Sequence, residues 1–236
     1  MTMPEKDTNE DTNKEDTRTG DTHTGRALVG LAAGSASARL RAALAVGTAP
    51  DPRYVGTLVE RCAIEPDFPV REMLTWALTR HPAALTVREL LRELRSERAQ
   101  ARSQALHTLS KIGDRRAWPA ITRALLTDAD DEVARAAWRA AVVLVPEGER
   151  AELAEVLATQ FGRGVHETRL SLSRALIALG EVIMPALRAA MTGSDPGARE
   201  HAIATERLLR DPDTGFESAI EEAKRVVALG PTGPKG

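Results

Sequence analysis

Five histidines, one cysteine and three tryptophans are the residues here that could do chemistry beyond pairing charges. His23, His81, His107, His166 and His201 fall in different segments, and none has a second ligand at helical spacing, so no metal site is expected. His81 and His107 could approach one another across neighbouring helices, but satisfied or surface histidines are the simpler expectation. Cys62 is the only cysteine, which excludes an intramolecular disulfide and a thiolate metal cluster. In the helical stretch Leu58-Val59-Glu60-Arg61-Cys62 it reads as a buried structural thiol. Phosphate-binding glycine loops, a His-Glu-x-x-His pair and a Gly-x-Ser-x-Gly elbow are all absent. No catalytic residue and no cofactor are therefore expected.

The most suggestive surface is cationic. Arg88, Arg92 and Arg95 stand at i, i+4 and i+7, in one column of a helix over 84–98. Like charges stacked so oppose one another by a few tenths of a kcal/mol per pair. Glu89, three residues before Arg92, offsets this in part, and Glu93 and Glu97 form a neighbouring acidic column. The bland reading is a solvated, salt-bridged face; the functional reading is a docking groove for an acidic partner or for phosphates. Trp118 opens the stripe Trp118, Ile121 and Leu125, and Trp138 aligns with Leu106, so both belong in a core. Trp76 sits one position past the aligned apolar residue and is less firmly assigned to it.

The elements that must position these residues repeat. A basic residue followed three and seven positions later by small or aliphatic ones recurs as Arg39-Ala42-Val46, Arg71-Leu74-Leu78 and Arg102-Ala105-Leu109. It continues as Ala134-Ala137-Ala141, Arg169-Leu172-Leu176 and Arg199-Ala202, with starts 32, 31, 32, 35 and 30 residues apart. Such a period means stacked helix pairs, because one pair cannot bury its apolar face alone. The second helices carry stripes of their own, as in Leu90, Leu91 and Leu94, in Leu153, Val156 and Leu157, and in Phe216, Ile220, Ala223 and Val227. Gly113 and Gly180 fall where first helices should end, and Pro119 and Pro185 where second helices should begin. Asp67, Asp130 and Asp195 each lie four residues before the repeated position, as caps or turn residues.

Composition agrees with an all-α fold: Ala, Leu and Arg dominate, and aromatics make up 3%. The net charge of −2 is unevenly placed. Residues 1–25 carry Glu5, Asp7, Glu10, Asp11, Glu15, Asp16 and Asp21 against Lys6, Lys14 and Arg18, and the remainder is nearly balanced. That segment cannot bury enough apolar surface to offset its ordering entropy, so 1–25 is expected to be a disordered acidic tail. The repeats should fill 26–229, and 230–236 reads as a second frayed end. No apolar run is long enough to span a membrane and no signal peptide is visible, so a cytoplasmic location is expected.

The run Asp130-Asp131-Glu132-Val133-Ala134-Arg135-Ala136-Ala137, with Ala101-Arg102-Ser103-Gln104-Ala105-Leu106 through Ile112-Gly113, resembles the HEAT-repeat family. Val70-Arg71 and Asp195-Pro196-Gly197-Ala198-Arg199 repeat the theme, and the resemblance covers about 38–228. The text around Arg71–His81 and Gln104–Leu109 is also similar to small actinobacterial HEAT-repeat proteins. The resemblance implies a right-handed α-solenoid of about six helix pairs that binds another protein. It also implies a ladder in which the Asp before each first helix pairs with the Arg inside it. Asp67, Arg71, Arg102, Asp130, Arg169, Asp195 and Arg199 are the ladder residues; Ala134 breaks it, with Arg135 one place late. In this family second helices line the concave face, so Arg88, Arg92, Arg95 and Arg123 become the candidate partner-binding set.

A competing reading is a HEAT-like alkylpurine DNA glycosylase, in which Trp76 and Trp138 would work with Arg88, Arg92 and Arg123. No acid stands out among them, lysines number only five, and Glu accompanies most of the arginines, so nucleic acid is not the expected partner. HEAT-like repeats also occur in bilin lyases, but no residue here singles out a chromophore site. The acidic tail could instead fold back on the Arg88-Arg92-Arg95 column. Leu28, Val29 and Leu31 leave the first repeat more apolar than the last, compatible with a monomer or a weak dimer.

Overall fold

A computed structural model describes residues 25, 26 and 28–229. The expectations for the acidic tail and for 230–236 lie outside the described residues. By packing, the chain divides into two compact units, 1–89 and 90–236. Among the described residues both are built of α-helices and short 3-10 turns, with no strand.

The first unit holds α1 (Ala36–Thr48), α2 (Val55–Cys62) and α3 (Phe68–Arg80), and the division falls inside α4 (Ala83–Glu93). Ser35 starts α1 by accepting the Ala38 N–H at 3.2 Å, and Asp67 starts α3 by accepting that of Val70 at 3.1 Å. Helix α1 lies against α3, and they approach closely at Gly47, where an added Cβ would overlap the Trp76 ring. Trp76 is 38% exposed as a result, lying over the glycine rather than in the core.

The second unit continues with α5 (Ala99–Ile112), α6 (Arg123–Leu126), α7 (Asp131–Leu144) and α8 (Arg150–Ala158). It ends with α9 (His166–Ala178), α10 (Met184–Met191), α11 (Pro196–Arg210) and α12 (Phe216–Leu229). The first helices stack in sequence, α5 on α7, α7 on α9 and α9 on α11, so successive pairs pile up as in a solenoid. Ala134, Ala136, Ala137, Ala140 and Ala141 are all buried in α7; small side chains are what let its neighbours approach. Asp130 and Asp195 cap α7 and α11 by accepting N–H groups of Glu132 and Gly197, each at 2.9 Å. Gly113 and Gly180 take φ of +69° and +78°, which ends the first helix of each pair.

The third pair departs from the sequence expectation. Its second helix was to carry Trp118, Ile121 and Leu125 in one stripe. The chain instead forms a 3-10 turn over Arg115–Ala120 and then the four-residue α6. Pro119 falls inside the 3-10 turn and has no N–H to donate, and Thr122 is extended. Pro185, by contrast, occupies the first turn of α10, as its position implied.

Candidate functional site

The repeated arginine turns out to fasten the turn before its own helix. Arg39, Arg71, Arg102 and Arg199 each donate Nη1 to two backbone carbonyls five and six residues upstream, at 2.8–3.1 Å. Arg169 does the same less regularly, to the carbonyls of Gly162 and Gly164. Asp67 and Asp195 are helix caps, so the expected Asp67–Arg71 and Asp195–Arg199 pairs are replaced by these two separate tasks.

The ion pairs that tie one helix pair to the next use acids the sequence reading passed over. Arg39 clasps Glu65 through Nε and Nη2, both at 2.7 Å, and Glu65 is 0% exposed. Glu65 also accepts from Arg61 at 2.8 Å and from the Asp67 N–H at 3.0 Å. Burial alone would raise its carboxyl pKa; hydrogen bonds from Arg39, the Asp67 N–H and Arg61 outweigh burial and hold it at about 2. The same arrangement recurs in the second unit, where Arg102 donates to both oxygens of Asp128 and Asp128 accepts the Asp130 N–H. Where Ala134 replaces the arginine, Arg163 reaches back, donating to Asp131 and to the Asp128 carbonyl, and Thr168 donates to Asp131. The sequence signal was an acid two residues before the capping Asp, present at Glu65 and Asp128.

The expected arginine column runs past the end of its helix. Helix α4 ends at Glu93, so Arg95 lies in the following turn, its N–H donating to the Arg92 carbonyl at 3.2 Å. Arg88, Arg92, Arg95 and Arg123 are all exposed, and Arg88 pairs with Glu89 at 3.2 Å. Arg95 borders a hollow of about 410 Å³ with Leu91, Leu94 and Pro119. Arg123 borders a different one of about 130 Å³ with Trp118, Glu149 and Glu152.

A more coherent cationic site opens across α5, α7 and α9. A groove of about 380 Å³ is walled by Lys111 from α5, Arg135 and Arg139 from α7, and Arg174 from α9. Val142, Val143, Leu170 and Ala175 make an apolar floor, Ser110 and Ser171 add hydroxyls, and Glu167 is the one lining acid. Val143 is 45% exposed. Among the described residues Lys111 and Arg174 have no ion-pair partner, and both are exposed. Arg135 donates Nη1 to Glu132 at 2.9 Å, while its Nε is buried without a hydrogen-bond partner. Arg139 and Arg174 stand at one repeat position, five residues after Ala134 and Arg169, where α5 has His107 and α3 has Trp76. Comparing that position between repeats would have found the groove.

The other candidate residues have structural settings. Trp138 is 0% exposed and donates Nε1 to the Leu126 carbonyl at 2.8 Å. Trp118 is only half-buried, its Nε1 donating to Glu149 at 2.8 Å. Cys62 is buried, which pushes its thiol pKa up to about 12. His201 is buried between Phe161 and Phe216 at ring distances of 5.0 and 6.0 Å. Its Nδ1 accepts the Gly162 N–H at 3.2 Å, so its Nε2 carries the proton toward the Arg169 carbonyl at 2.9 Å, with Ser173 Oγ at 3.0 Å. Burial lowers its pKa to about 4 and keeps it neutral. Among the described residues no three His, Cys, Asp or Glu side chains gather as metal ligands. No single described helix is long and apolar enough to cross a membrane.

Stacked helix pairs with a capped first helix and a turn-fastening arginine define a helical-repeat protein. The sequence profile described as HEAT repeats matches residues 63–142. Comparison with curated protein sequences finds no match. Among solved structures, the complex of CpcE and CpcF of phycocyanin lyase from Nostoc sp. is similar, at 17% identity and a TM-score of 0.45. The likeness covers 84% of this chain and 85% of that one.

Proposed function

We propose that this chain is a non-enzymatic binding module for another protein, and that the α5–α7–α9 groove is where it binds. HEAT repeats in general mediate contacts between proteins. The observation that carries the reading is the cationic wall of Lys111, Arg135, Arg139 and Arg174 around an apolar floor. It stands out because residues 90–236 hold 21 basic and 21 acidic residues, so the unit as a whole has no field of its own. The charge of Lys111 and Arg174, which have no ion-pair partner among the described residues, is retained there at a cost in self-repulsion, and Val143 is left partly wet; a bound protein surface relieves both. Arg88, Arg92, Arg95 and Arg123 remain separate candidate contacts. Affinity capture from native extract should recover a protein with wild type and with Arg88→Glu/Arg92→Glu/Arg95→Glu, and lose it with Lys111→Glu/Arg174→Glu. Capture unchanged by the groove variant would reject the groove, and recovery of nucleic acid instead would reject the protein-binding reading.

One observation favours a second reading. A glycosylase needs an acid beside an aromatic residue, and Glu149 bonded to Trp118, with Arg123 and Glu152 in the same hollow, supplies that pair. Release of a methylated purine from duplex DNA by purified protein, abolished by Glu149→Gln, would support it; no release would exclude it.

A further inference from the structure

We infer that the groove takes an acidic, amphipathic peptide segment, one that brings carboxylates to Lys111 and Arg174 and an apolar side chain to the floor between them. The inference rests on the protein-binding reading and names the chemistry of the partner. Lys111 and Arg174 come from α5 and α9, the outer two of three consecutive first helices, so unpaired positive charge stands on both sides of the apolar strip that α7 supplies. Val142 and Val143 form that strip, extended by Leu170 and Ala175 of α9. Arg135 adds a guanidinium to the wall, already paired with Glu132 through Nη1, so the contacts to carboxylates fall to Lys111 and Arg174.

Two alternatives fit the lining less well. A phosphate backbone would satisfy the cations and leave the valines uncovered, and it gains affinity from many spaced cations rather than from four in one groove. A purely polar acidic segment, such as residues 1–24 with their seven acids, would likewise meet the wall without drying the floor. Glu167 sets polarity within the site: as the one lining acid it repels carboxylates from its own stretch of the α9 rim and leaves Arg174, two turns on, as the α9 contact. The occupant is therefore apolar at its centre and acidic on its flanks. A groove of about 380 Å³ admits a few side chains of such a segment.

Selection of a phage-displayed library of random 16-residue peptides on the full-length chain tests this directly. Peptides retained by wild type and released by Lys111→Glu/Arg174→Glu should share Asp or Glu flanking Leu, Ile, Phe or Met. Their synthetic versions should lose at least tenfold in affinity on the double variant and on Val143→Asp taken alone. They should keep their affinity for Arg88→Glu/Arg92→Glu/Arg95→Glu, and for Glu65→Asp as a control altered in the other unit. Because Lys111, Arg174 and Val143 are exposed, unchanged circular dichroism in these variants is expected. Enriched peptides that lack acids, acidic peptides indifferent to Val143→Asp, or equal binding of the peptide 1–24 would each overturn the inference. If no peptide is enriched while capture of a protein still depends on Lys111 and Arg174, the acidic-peptide chemistry is wrong and the protein-binding reading stands.

Discussion

Glu65 and Cys62 show how local chemistry decides what a residue can do. Glu65 is a fully buried carboxylate held by two arginines, and a buried pair is costly to break because the survivor keeps its charge without a partner. Glu65→Gln should destabilise the first unit by about 3–5 kcal/mol in urea unfolding. Asp128→Asn should cost less, since Arg102 and Asp128 retain 18% and 15% side-chain exposure. The sign with pH follows from the depressed carboxyl. The Glu65 contribution is complete above its ordinary value of 4.5 and is lost as pH falls toward about 2. Cys62, with its thiol pushed up to about 12 in a buried site, should not react with a disulfide reagent until the chain is unfolded. Rapid labelling of the native protein would contradict its placement. The repeated arginines were legible in the sequence because they recur with the period. Their partners were not, because backbone carbonyls leave no mark in a sequence, and the family ladder pointed to the capping aspartates instead.

At the scale of the element, helix starts and stops were largely written in single residues. Asp67, Asp130, Asp195, Gly113 and Gly180 all sit where their side chains or backbone freedom require. The failure was at Arg115–Leu126, where an apolar stripe of helical spacing hid a proline and an extended threonine that break the helix. The groove was missed for a related reason. An arginine column within one helix is conspicuous in linear sequence, whereas cations drawn from α5, α7 and α9 are adjacent only after the helices stack. The seam between α9 and α11 yields a prediction of its own. His201 is neutral and buried, bonded to Ser173 and the Arg169 carbonyl, with its pKa lowered to about 4. A lowered folded-state value means the unfolded chain binds the proton first. The stability His201 contributes is present above pH 6.5 and falls as pH drops toward about 4, by on the order of 2–3 kcal/mol. His201→Asn should be less stable than wild type at pH 8 and should flatten that part of the pH profile. An unchanged slope between pH 6.5 and 4 would contradict a neutral His201.

For the whole molecule, the charge balance matters more than the composition. A chain with a net charge of −2 and a neutral second unit has little long-range pull on polyanions, so its recognition rests on local geometry. Binding at the groove should therefore weaken only modestly as salt rises, since the apolar floor keeps its share of the energy while screening acts on the rim. A salt dependence as steep as that of a nucleic-acid binder would count against the account. The all-α repeat architecture was legible from the period alone, but the division at 89/90 was not, because the repeat runs through it without a change in composition.

The most direct test of the central claim places a photocrosslinking phenylalanine analogue at position 143, on the floor of the groove, and irradiates the full chain in native extract. The account gives a covalent adduct with a polypeptide that disappears when Lys111→Glu/Arg174→Glu is added and is absent when the analogue is moved to exposed Val165. An adduct with nucleic acid, an adduct indifferent to the two charge reversals, or equal adducts from both positions would contradict it.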